Sequence, residues 1–356
     1  MSRSRFGDLL DRAGRLQATA IFLSEDEPGL LRVQGAVLPL PDDPPWSSGE
    51  LREVIRSLVQ ANPRRKFEER GHLEFSYLDK RGATWVGSAT RSDAGLSMTF
   101  RSFAPPAPEK QPLPAPFLLA ATGTRGWAWV AGRRGSGKTS ILERCLVELS
   151  QKRSAHVMIL ERGVKRIRPP KKGLPLLLEH HAYETNADLV ARLKEAEPDV
   201  LLVDDLDGGE ALLACAELAS QGRLVISTHG TSTLQQALVH AILTVPRSER
   251  RRFRELVARR FSVGLLQVLT RRNTGGNPVP SHELVMGGDA LARFLRAEPF
   301  APSNGGLPGR EMEVKDGLLN LVQRAVVHPA CALTSTPQPG SLRRALAASG
   351  YDIETA

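Results

Sequence analysis

Cysteine is scarce in this chain, which has three among 356 residues. Cys145, Cys215 and Cys331 lie far apart, so no CxxC pair occurs. This spacing indicates neither a zinc cage nor a disulfide framework. Because free thiols are typical of a reducing compartment, the cysteine usage is consistent with a cytoplasmic protein.

The chain also lacks a long uncharged apolar run. No stretch reaches the ~18 to 20 apolar residues that a membrane-spanning helix requires. Close to the N-terminus, Asp8, Asp11, Arg12 and Arg15 interrupt any apolar core that a signal peptide would need. The sequence therefore predicts peripheral contact with a membrane at most.

Acidic residues are outnumbered by basic ones, which gives a formal net charge of +9 and a pI of about 9.8. A basic balance is compatible with nucleic acid or an anionic membrane surface as a partner. The excess is mostly arginine and is spread along the chain, which favours a well-solvated basic surface. We expect no nucleic-acid partner.

A chain of this length is expected to form two domains. Residues 104–116 contain six prolines in thirteen positions, which predicts a linker because proline lacks the backbone donor of helices and sheets. Residues 1–103 then form a smaller α+β domain. Its predicted helices lie at 5–17 and 49–60, and its strands at 18–23, 30–40, 73–78, 83–91 and 96–103.

Residues 117–356 alternate between short apolar strands and helices, and end in an α-rich part from about 288 onwards. Strands without polar alternation, each followed by a helix, predict a parallel sheet covered on both faces, hence an α/β fold. The predicted strands are 126–131, 156–161, 199–205 and 223–228, and the predicted helices are 138–150, 186–196 and 209–220.

One segment between a predicted strand and helix matches the Walker A pattern G-x-x-x-x-G-K-[ST] in full. Its glycines let several backbone N–H groups point at one phosphate, and the helix N-terminus adds partial positive charge. Lys138 is expected to bridge the β- and γ-phosphates of ATP, and the Thr139 hydroxyl to bind Mg²⁺. The candidate nucleotide-binding residues are Gly132, Arg133, Arg134, Gly135, Ser136, Gly137, Lys138, Thr139 and Ser140.

An apolar strand that ends in acidic residues, within 197–207, matches a Walker B element. A carboxylate at the carboxyl end of such a strand reaches the metal ion beside the P-loop. Asp204 and Asp205 are the candidates, and the alternative is that they only open a polar turn.

Two further residues follow predicted strands at the same edge. Glu161 is expected to orient or deprotonate the attacking water, unless it is a surface glutamate that faces a helix. His229, in the segment STHGTS, is placed to sense the γ-phosphate, although a single loop histidine is more often structural. The adjacent His180 and His181 have no further ligand cluster nearby, so we do not expect a metal site there.

The order of these features resembles the secretion ATPase superfamily, specifically the PilT-like type IV pilus retraction (twitching motility) ATPases. The likeness covers nearly the whole length. It is carried by these segments: FGDLLDRAGRLQATAIFL, LLRVQGAVLPL, KFEERGHLEFSYLDKRG, the full Walker A loop, HVMILERG, EPDVLLVDDLD, ELASQGRLVISTHGTSTLQQAL, VPRSERRRFRELVARRFSVGLLQVLTRR and SHELVMGGDALARFLRAE.

The resemblance implies a RecA-like P-loop ATPase domain preceded by a smaller PAS-like domain. It implies a homo-hexameric ring that uses ATP and Mg²⁺ and acts on an inner-membrane pilus platform protein from the cytoplasmic side. Glu161 then matches the acidic-box general base and His229 the histidine-box residue. Arg101 matches an N-domain arginine that reaches a nucleotide, often across a subunit boundary.

The chain departs from the family pattern at several positions. The Walker B glutamate position holds Asp205, which is one methylene shorter, and Arg162 follows Glu161 where the family has aspartate. The family's early N-domain arginine, its Gln-Arg-Glu segment and its Ala-Leu-Arg stretch have no counterparts. The sequence therefore predicts nucleotide binding more firmly than rapid hydrolysis.

Two alternatives to a retraction motor stay open. The departures are compatible with a catalytically attenuated paralogue that binds nucleotide and regulates another pilus or secretion motor. The arginine-rich stretch 246–260 also suggests a nucleic-acid translocase, although Phe253, Leu256 and Val257 are spaced for a helix with one apolar face. A longer N-terminal region and a four-cysteine zinc site, usual in extension and secretion relatives, are not found here, which favours the retraction type.

Overall fold

The structure is a computed structural model, and it describes residues 5–33, 36–40, 42–59, 61–79, 84–103, 113–162, 167, 176–183, 185–297, 300 and 306–351. The described chain divides into two compact units, the first ending at Phe103 and the second beginning at Leu113. Most of the predicted proline-rich linker, residues 104–112, lies outside the described residues.

The first unit contains a six-stranded antiparallel sheet and three helices. The strand order is β3-β2-β1-β6-β5-β4. The strands are β1 (Ala20–Ser24), β2 (Leu30–Val33), β3 (Ala36–Pro39), β4 (His72–Leu78), β5 (Thr84–Ser92) and β6 (Gly95–Phe103), and the helices are α1 (Arg5–Arg15), α2 (Ser48–Leu58) and α3 (Ala61–Arg70).

Aromatic packing holds this first unit together. The Phe6 ring of α1 lies 4.7 Å from that of Phe100 on β6, and Phe75 of β4 meets Phe100 edge to face. Helix α2 begins at a capping box, in which the Ser47 hydroxyl accepts the Glu50 N–H and the Glu50 carboxylate accepts the Ser47 N–H. Local caps and a shared apolar core thus fix the α1 and α2 positions.

In and after the first unit, the observed elements differ from the sequence prediction at three places. The single extended segment at 30–40 is two antiparallel strands, β2 and β3, because the chain reverses between Val33 and Ala36. Helix α3 was not predicted, since its sequence ANPRRKFEER has little apolar periodicity. The predicted linker ends early, because helix α4 begins at Ala115 and the first turn of a helix tolerates proline at Pro116.

The second unit is built on an eight-stranded sheet of order β14-β13-β12-β7-β11-β10-β8-β9. The six strands from β12 to β9 in this order are mutually parallel. At one edge, β13 pairs with β12 and β14 pairs with β13, both in antiparallel orientation. The strands are β7 (Gly126–Ala131), β8 (Ala155–Arg162), β9 (Leu176–Tyr183), β10 (Val200–Asp204), β11 (Leu224–His229), β12 (Phe261–Thr270), β13 (Val279–Met286) and β14 (Arg310–Met312).

Helices cover both faces of this sheet. Among the described helices none is long and apolar enough to cross a bilayer. They are α4 (Ala115–Ala121), α5 (Lys138–Lys152), α6 (Asn186–Ala196), α7 (Gly209–Ser220), α8 (Leu234–Thr244), α9 (Arg250–Arg260), α10 (Asp289–Arg296), α11 (Val314–Gln323), α12 (Pro329–Ser335) and α13 (Pro339–Ala348).

Side chains that alternate along β7 show that both faces of the sheet are buried. Trp127 and Trp129 pack with the core that includes α7, α8 and α9, whereas Ala128 and Val130 pack with the core that includes α4 and α5. Each of these side chains is at most 1% exposed. A parallel sheet between two helical layers confirms the predicted α/β fold.

The strand order decides where the predicted site residues meet. Strand β7 leads into the Walker A loop, β11 pairs with β7, β10 with β11, and β8 with β10, all in parallel. The carboxyl ends of these four strands therefore form one continuous edge. In open α/β sheets this edge is where ligands bind.

Candidate nucleotide-binding site

The Walker A loop connects the buried strand β7 to helix α5, whose N-cap is Gly137. Gly137 has a φ of +87°, a left-handed conformation that residues with a Cβ rarely adopt. At Gly132 a Cβ would collide with the Ser136 side chain and would lie 2.9 Å from the Gln267 carbonyl oxygen. These two glycines therefore allow the tight loop that the sequence pattern predicted.

Lys138, the first residue of α5, turns its side chain back over the loop. Its ammonium donates hydrogen bonds to the carbonyl oxygens of Gly132 at 2.8 Å and Arg133 at 3.2 Å. Burial lowers the pKa of Lys138 below its ordinary value, while Asp204 and Asp205 act in the opposite direction. The cation is thus held at the mouth of the loop beside two carboxylates.

Asp204 lies at the end of β10 and is 3% exposed. One of its carboxylate oxygens accepts the Thr139 hydroxyl at 2.9 Å, and the other accepts the Thr228 hydroxyl at 2.6 Å. The Walker A and Walker B segments are therefore joined directly. A hydroxyl and a carboxylate in contact form a hard oxygen donor set that fits Mg²⁺.

Asp205 follows with a φ of +57°, and its backbone N–H donates to the Thr228 hydroxyl oxygen at 2.7 Å. Aspartate tolerates this left-handed conformation better than most residues with a side chain. The side chain is exposed, unlike that of Asp204. The two acidic residues thus have different environments, a distinction that the sequence did not provide.

Thr228, at the end of β11, was not among the predicted site residues. Its hydroxyl donates to Asp204 and accepts from the backbone of Asp205, so it fixes both acidic residues. Its position could have been suspected from the polar residues that close an otherwise apolar strand. Its contact with Asp204 could not, since it depends on the pairing of β10 with β11.

We expect Thr228→Val to lower the stability of the protein. Valine matches the shape of threonine but leaves the Asp205 N–H and one Asp204 oxygen without this partner, which costs about 1–3 kcal/mol of unfolding free energy. The matched control is Thr228→Ser, which keeps the hydroxyl. Urea denaturation of the wild type and of both variants measures the change in unfolding free energy. Equal denaturation midpoints for Thr228→Val and the wild type would contradict this role.

Glu161 lies on β8 in register with Asp204, and its side chain is fully buried. Both of its carboxylate oxygens accept the backbone N–H of Ile167, at 3.1 and 3.0 Å. It is therefore not a surface glutamate facing a helix, which was the alternative interpretation. Its proposed role toward water remains a prediction.

His229 closes β11, and its ring stacks on Trp129 with the centroids 4.2 Å apart. Its Nε2 lies 2.9 Å from the Ser227 hydroxyl, which also accepts the Trp127 indole N–H. Burial lowers its pKa to about 3, with smaller contributions from His240 and Lys138. The ring is accordingly neutral at physiological pH, and it stacks on a tryptophan of the core.

The remaining predicted residues lie at the rim of the loop or in the other unit. Arg133 and Arg134 are exposed, and the Arg133 guanidinium donates to the Ser232 hydroxyl at 3.0 Å. Ser140 is exposed on the first turn of α5. Arg101 lies on β6 of the first unit with an exposed side chain, and its role remains a prediction.

A histidine pair in the sequence, His180–His181, was not expected to bind metal. In the structure the Glu179 carboxylate contacts the Nε2 atoms of His156 at 2.9 Å and His181 at 3.2 Å. In the part of the chain that the structure describes, no group of three or more His, Cys, Asp and Glu has the arrangement of a metal site.

The parallel sheet, the glycine loop before α5 and the Thr139–Asp204 contact define the class of the second unit as a P-loop nucleotide-binding domain. No family model matches the chain. A twitching motility protein of Neisseria gonorrhoeae is 23% identical over 296 residues, which cover 81% of this chain and 79% of that protein.

A second relative is the type IV pilus retraction ATPase PilT of Pseudomonas aeruginosa. It is 24% identical over 298 residues, which cover 83% of this chain and 86% of that protein. A crystal structure of the pilus retraction motor PilT with bound ADP matches with a TM-score of 0.76 and 21% identity, over 95% of this chain and 98% of that one. The chain is therefore similar to PilT-type retraction ATPases in sequence and in fold, which agrees with the resemblance found in the sequence.

Proposed function

We propose that this protein is a motor ATPase of the pilus retraction type, which couples ATP binding and hydrolysis to domain motion. The observation that carries the proposal is the Asp204 carboxylate, held between the hydroxyls of Thr139 and Thr228 beside the P-loop lysine. The relatives' names, a twitching motility protein and a pilus retraction ATPase, support this function.

In this proposal, different residues of the chain bind the phosphates and the metal ion of the nucleotide. The loop N–H groups between Gly132 and Thr139 bind phosphate oxygens, and Lys138 exchanges its two carbonyl partners for the β- and γ-phosphates. Thr139, Asp204 and Asp205 would hold Mg²⁺, directly or through its water shell. The chemistry that Mg²⁺ would supply there is neutralisation of phosphate charge.

Two further residues act on the γ-phosphoryl group in this proposal. Glu161 orients and deprotonates the attacking water, and its position at the sheet edge in register with Asp204 supports this role. Arg101 stabilises developing charge, as an arginine supplied by a neighbouring subunit does in related chemistry. His229 responds to nucleotide through the backbone, since its carbonyl oxygen accepts the Gly132 N–H at 3.2 Å.

The assembled form in this proposal is a cytoplasmic homo-hexamer, docked at the pilus base on an inner-membrane platform protein. The direct test is ATP turnover by the purified protein together with its mass in solution, with and without Mg²⁺ and ATP. We expect phosphate release and a hexameric mass. A monomer at high protein concentration with both ligands present would rule out the ring.

The alternative function is an attenuated nucleotide-binding paralogue that regulates another motor. The shorter Asp205 at the Walker B glutamate position favours this alternative. In addition, its left-handed backbone suits aspartate better than glutamate. Slow turnover with intact nucleotide affinity in the wild type would support it.

A single variant separates the two functions. We expect Asp205→Glu to raise turnover severalfold if the site is attenuated, because the extra methylene carries the carboxylate toward the reacting phosphate. Phosphate release under saturating ATP measures the effect, and Asp205→Asn, which lacks the charge, is the control. A lower rate in Asp205→Glu would show that aspartate is the residue to which this site is adapted.

A nucleic-acid translocase is less well supported, because most arginines of α9 have partners within the protein. Arg254 is buried and donates to the carbonyl oxygens of Leu295 and Ala297. Arg252 and Arg259 pair with Glu217 and Glu255. Salt-dependent DNA binding at physiological ionic strength is the observation that would favour the translocase.

A further inference from the structure

A buried glutamine connects the Walker A loop to the neighbouring strand of the sheet. Gln267 lies on β12 and is 8% exposed. Its side-chain amide N–H donates to the carbonyl oxygen of Ser136 at 2.6 Å. Strand β12 pairs with β7, the strand that leads into the loop. The hydrogen bond from Gln267 therefore adds a second connection between β12 and the segment that follows β7.

The contact determines which way one loop peptide faces. In a trans peptide the C=O and the following N–H point in opposite directions. With the Ser136 carbonyl directed at Gln267, the Gly137 N–H is directed away from Gln267. This N–H is one of the loop donors that a bound phosphate requires. The left-handed φ of Gly137 accommodates this orientation of the peptide.

The glutamine also packs directly against the loop. A Cβ on Gly137 would lie 2.7 Å from the Gln267 amide nitrogen, closer than real side chains approach. The main-chain oxygen of Gln267 likewise lies 2.9 Å from where a Cβ of Gly132 would be. Both glycines of the Walker A pattern are thus needed partly to make room for this one residue.

A histidine on β13 keeps the glutamine in the required orientation. The Gln267 amide oxygen lies 2.9 Å from Nε2 of His282, which sits opposite it in the antiparallel pairing. Ser136 presents an acceptor, so the amide nitrogen must face the loop and the amide oxygen must face a donor. Burial lowers the pKa of His282 to about 4, so the ring is neutral. Because the Gln267 amide oxygen can only accept, the hydrogen bond assigns the ring proton to Nε2.

We propose that Gln267 and His282 are positioning residues for the phosphate groups of a nucleoside di- or triphosphate. They hold the Ser136–Gly137 peptide so that the Gly137 N–H faces the phosphate before the nucleotide arrives. This inference rests on the proposed function and extends its site from the loop to the β12–β13 hairpin.

The test is ADP affinity, measured by titration calorimetry on the full chain, together with KM and kcat for ATP. We expect Gln267→Leu to weaken ADP binding about tenfold, because the Ser136 peptide loses a buried partner. The loss should appear mainly in KM, since Gln267 contacts neither Glu161 nor Asp204 in any described hydrogen bond. Thr270→Val is the matched control, because Thr270 lies on the same strand and is buried.

A second pair of variants separates positioning from general packing. His282→Gln keeps an N–H donor for the Gln267 oxygen and should retain affinity, whereas His282→Leu removes the donor and should weaken ADP binding. The thermal unfolding midpoint of Gln267→Leu shows whether this variant folds. If it does not fold, the two His282 variants still test the positioning role. Wild-type affinity in both Gln267→Leu and His282→Leu would overturn the inference and leave the proposed function intact. A wild-type protein that binds no ADP would overturn both.

Discussion

Lys138→Ala is expected to abolish ATP turnover and to weaken nucleotide binding about hundredfold. The lysine ammonium lies over the loop, where it donates hydrogen bonds to two carbonyl oxygens. Hydrogen bonds from a charged donor contribute about 1.5–3 kcal/mol each, and a transition-state donor contributes about 10²–10³ in rate. Calorimetry with ADP and a phosphate-release assay measure the two effects.

The matched control for this variant lies on the same helix. Lys152→Ala removes a lysine from the last turn of α5, where its ammonium donates to the Thr122 hydroxyl at 2.6 Å. It should leave nucleotide affinity and turnover unchanged. If Lys138→Ala were to hydrolyse ATP at the wild-type rate, the proposed nucleotide site would be wrong.

Asp204→Asn is the second substitution with a large expected effect, a loss of about 10²-fold or more in Mg²⁺-dependent turnover. Asparagine preserves the shape and one acceptor oxygen, but it removes the negative charge between Thr139 and Thr228. Turnover as a function of Mg²⁺ concentration should show a higher requirement for the ion. ADP binding without Mg²⁺ should be retained, because Lys138 and the loop amides are unchanged.

Asp207→Asn provides the comparison for this second variant. Asp207 follows three residues later and is exposed, and its carboxylate accepts the N–H of the adjacent Gly208 at 2.7 Å. Removing its charge should leave the Mg²⁺ dependence as in the wild type. An unchanged Mg²⁺ requirement in Asp204→Asn would show that Asp204 does not bind the metal ion, and Asp205 would then be the next candidate.

Several elements could be predicted from the sequence with their observed bounds. Strand β7 and helices α6 and α7 occupy the predicted residues 126–131, 186–196 and 209–220. Each is marked by signals within a few positions, such as the Thr185–Asp188 capping box that begins α6. The β12–β13 hairpin was not predicted. Gln267 and His282 lie within its apolar strands. A role for these two polar residues can be inferred only once the structure places them beside the Walker A loop.

The Walker A loop, its flanking strand and helix, the acidic end of β10 and the resemblance to pilus retraction ATPases can all be read from the sequence alone. All of these depend on residue order over short distances, which local backbone geometry and apolar periodicity make readable. The tertiary structure was needed to show that Asp204 contacts Thr139, that Thr228 contacts both aspartates, and that Gln267 contacts the Ser136 peptide. Those contacts join strands distant in sequence, and the order in which strands pair is set by the packing of the whole sheet.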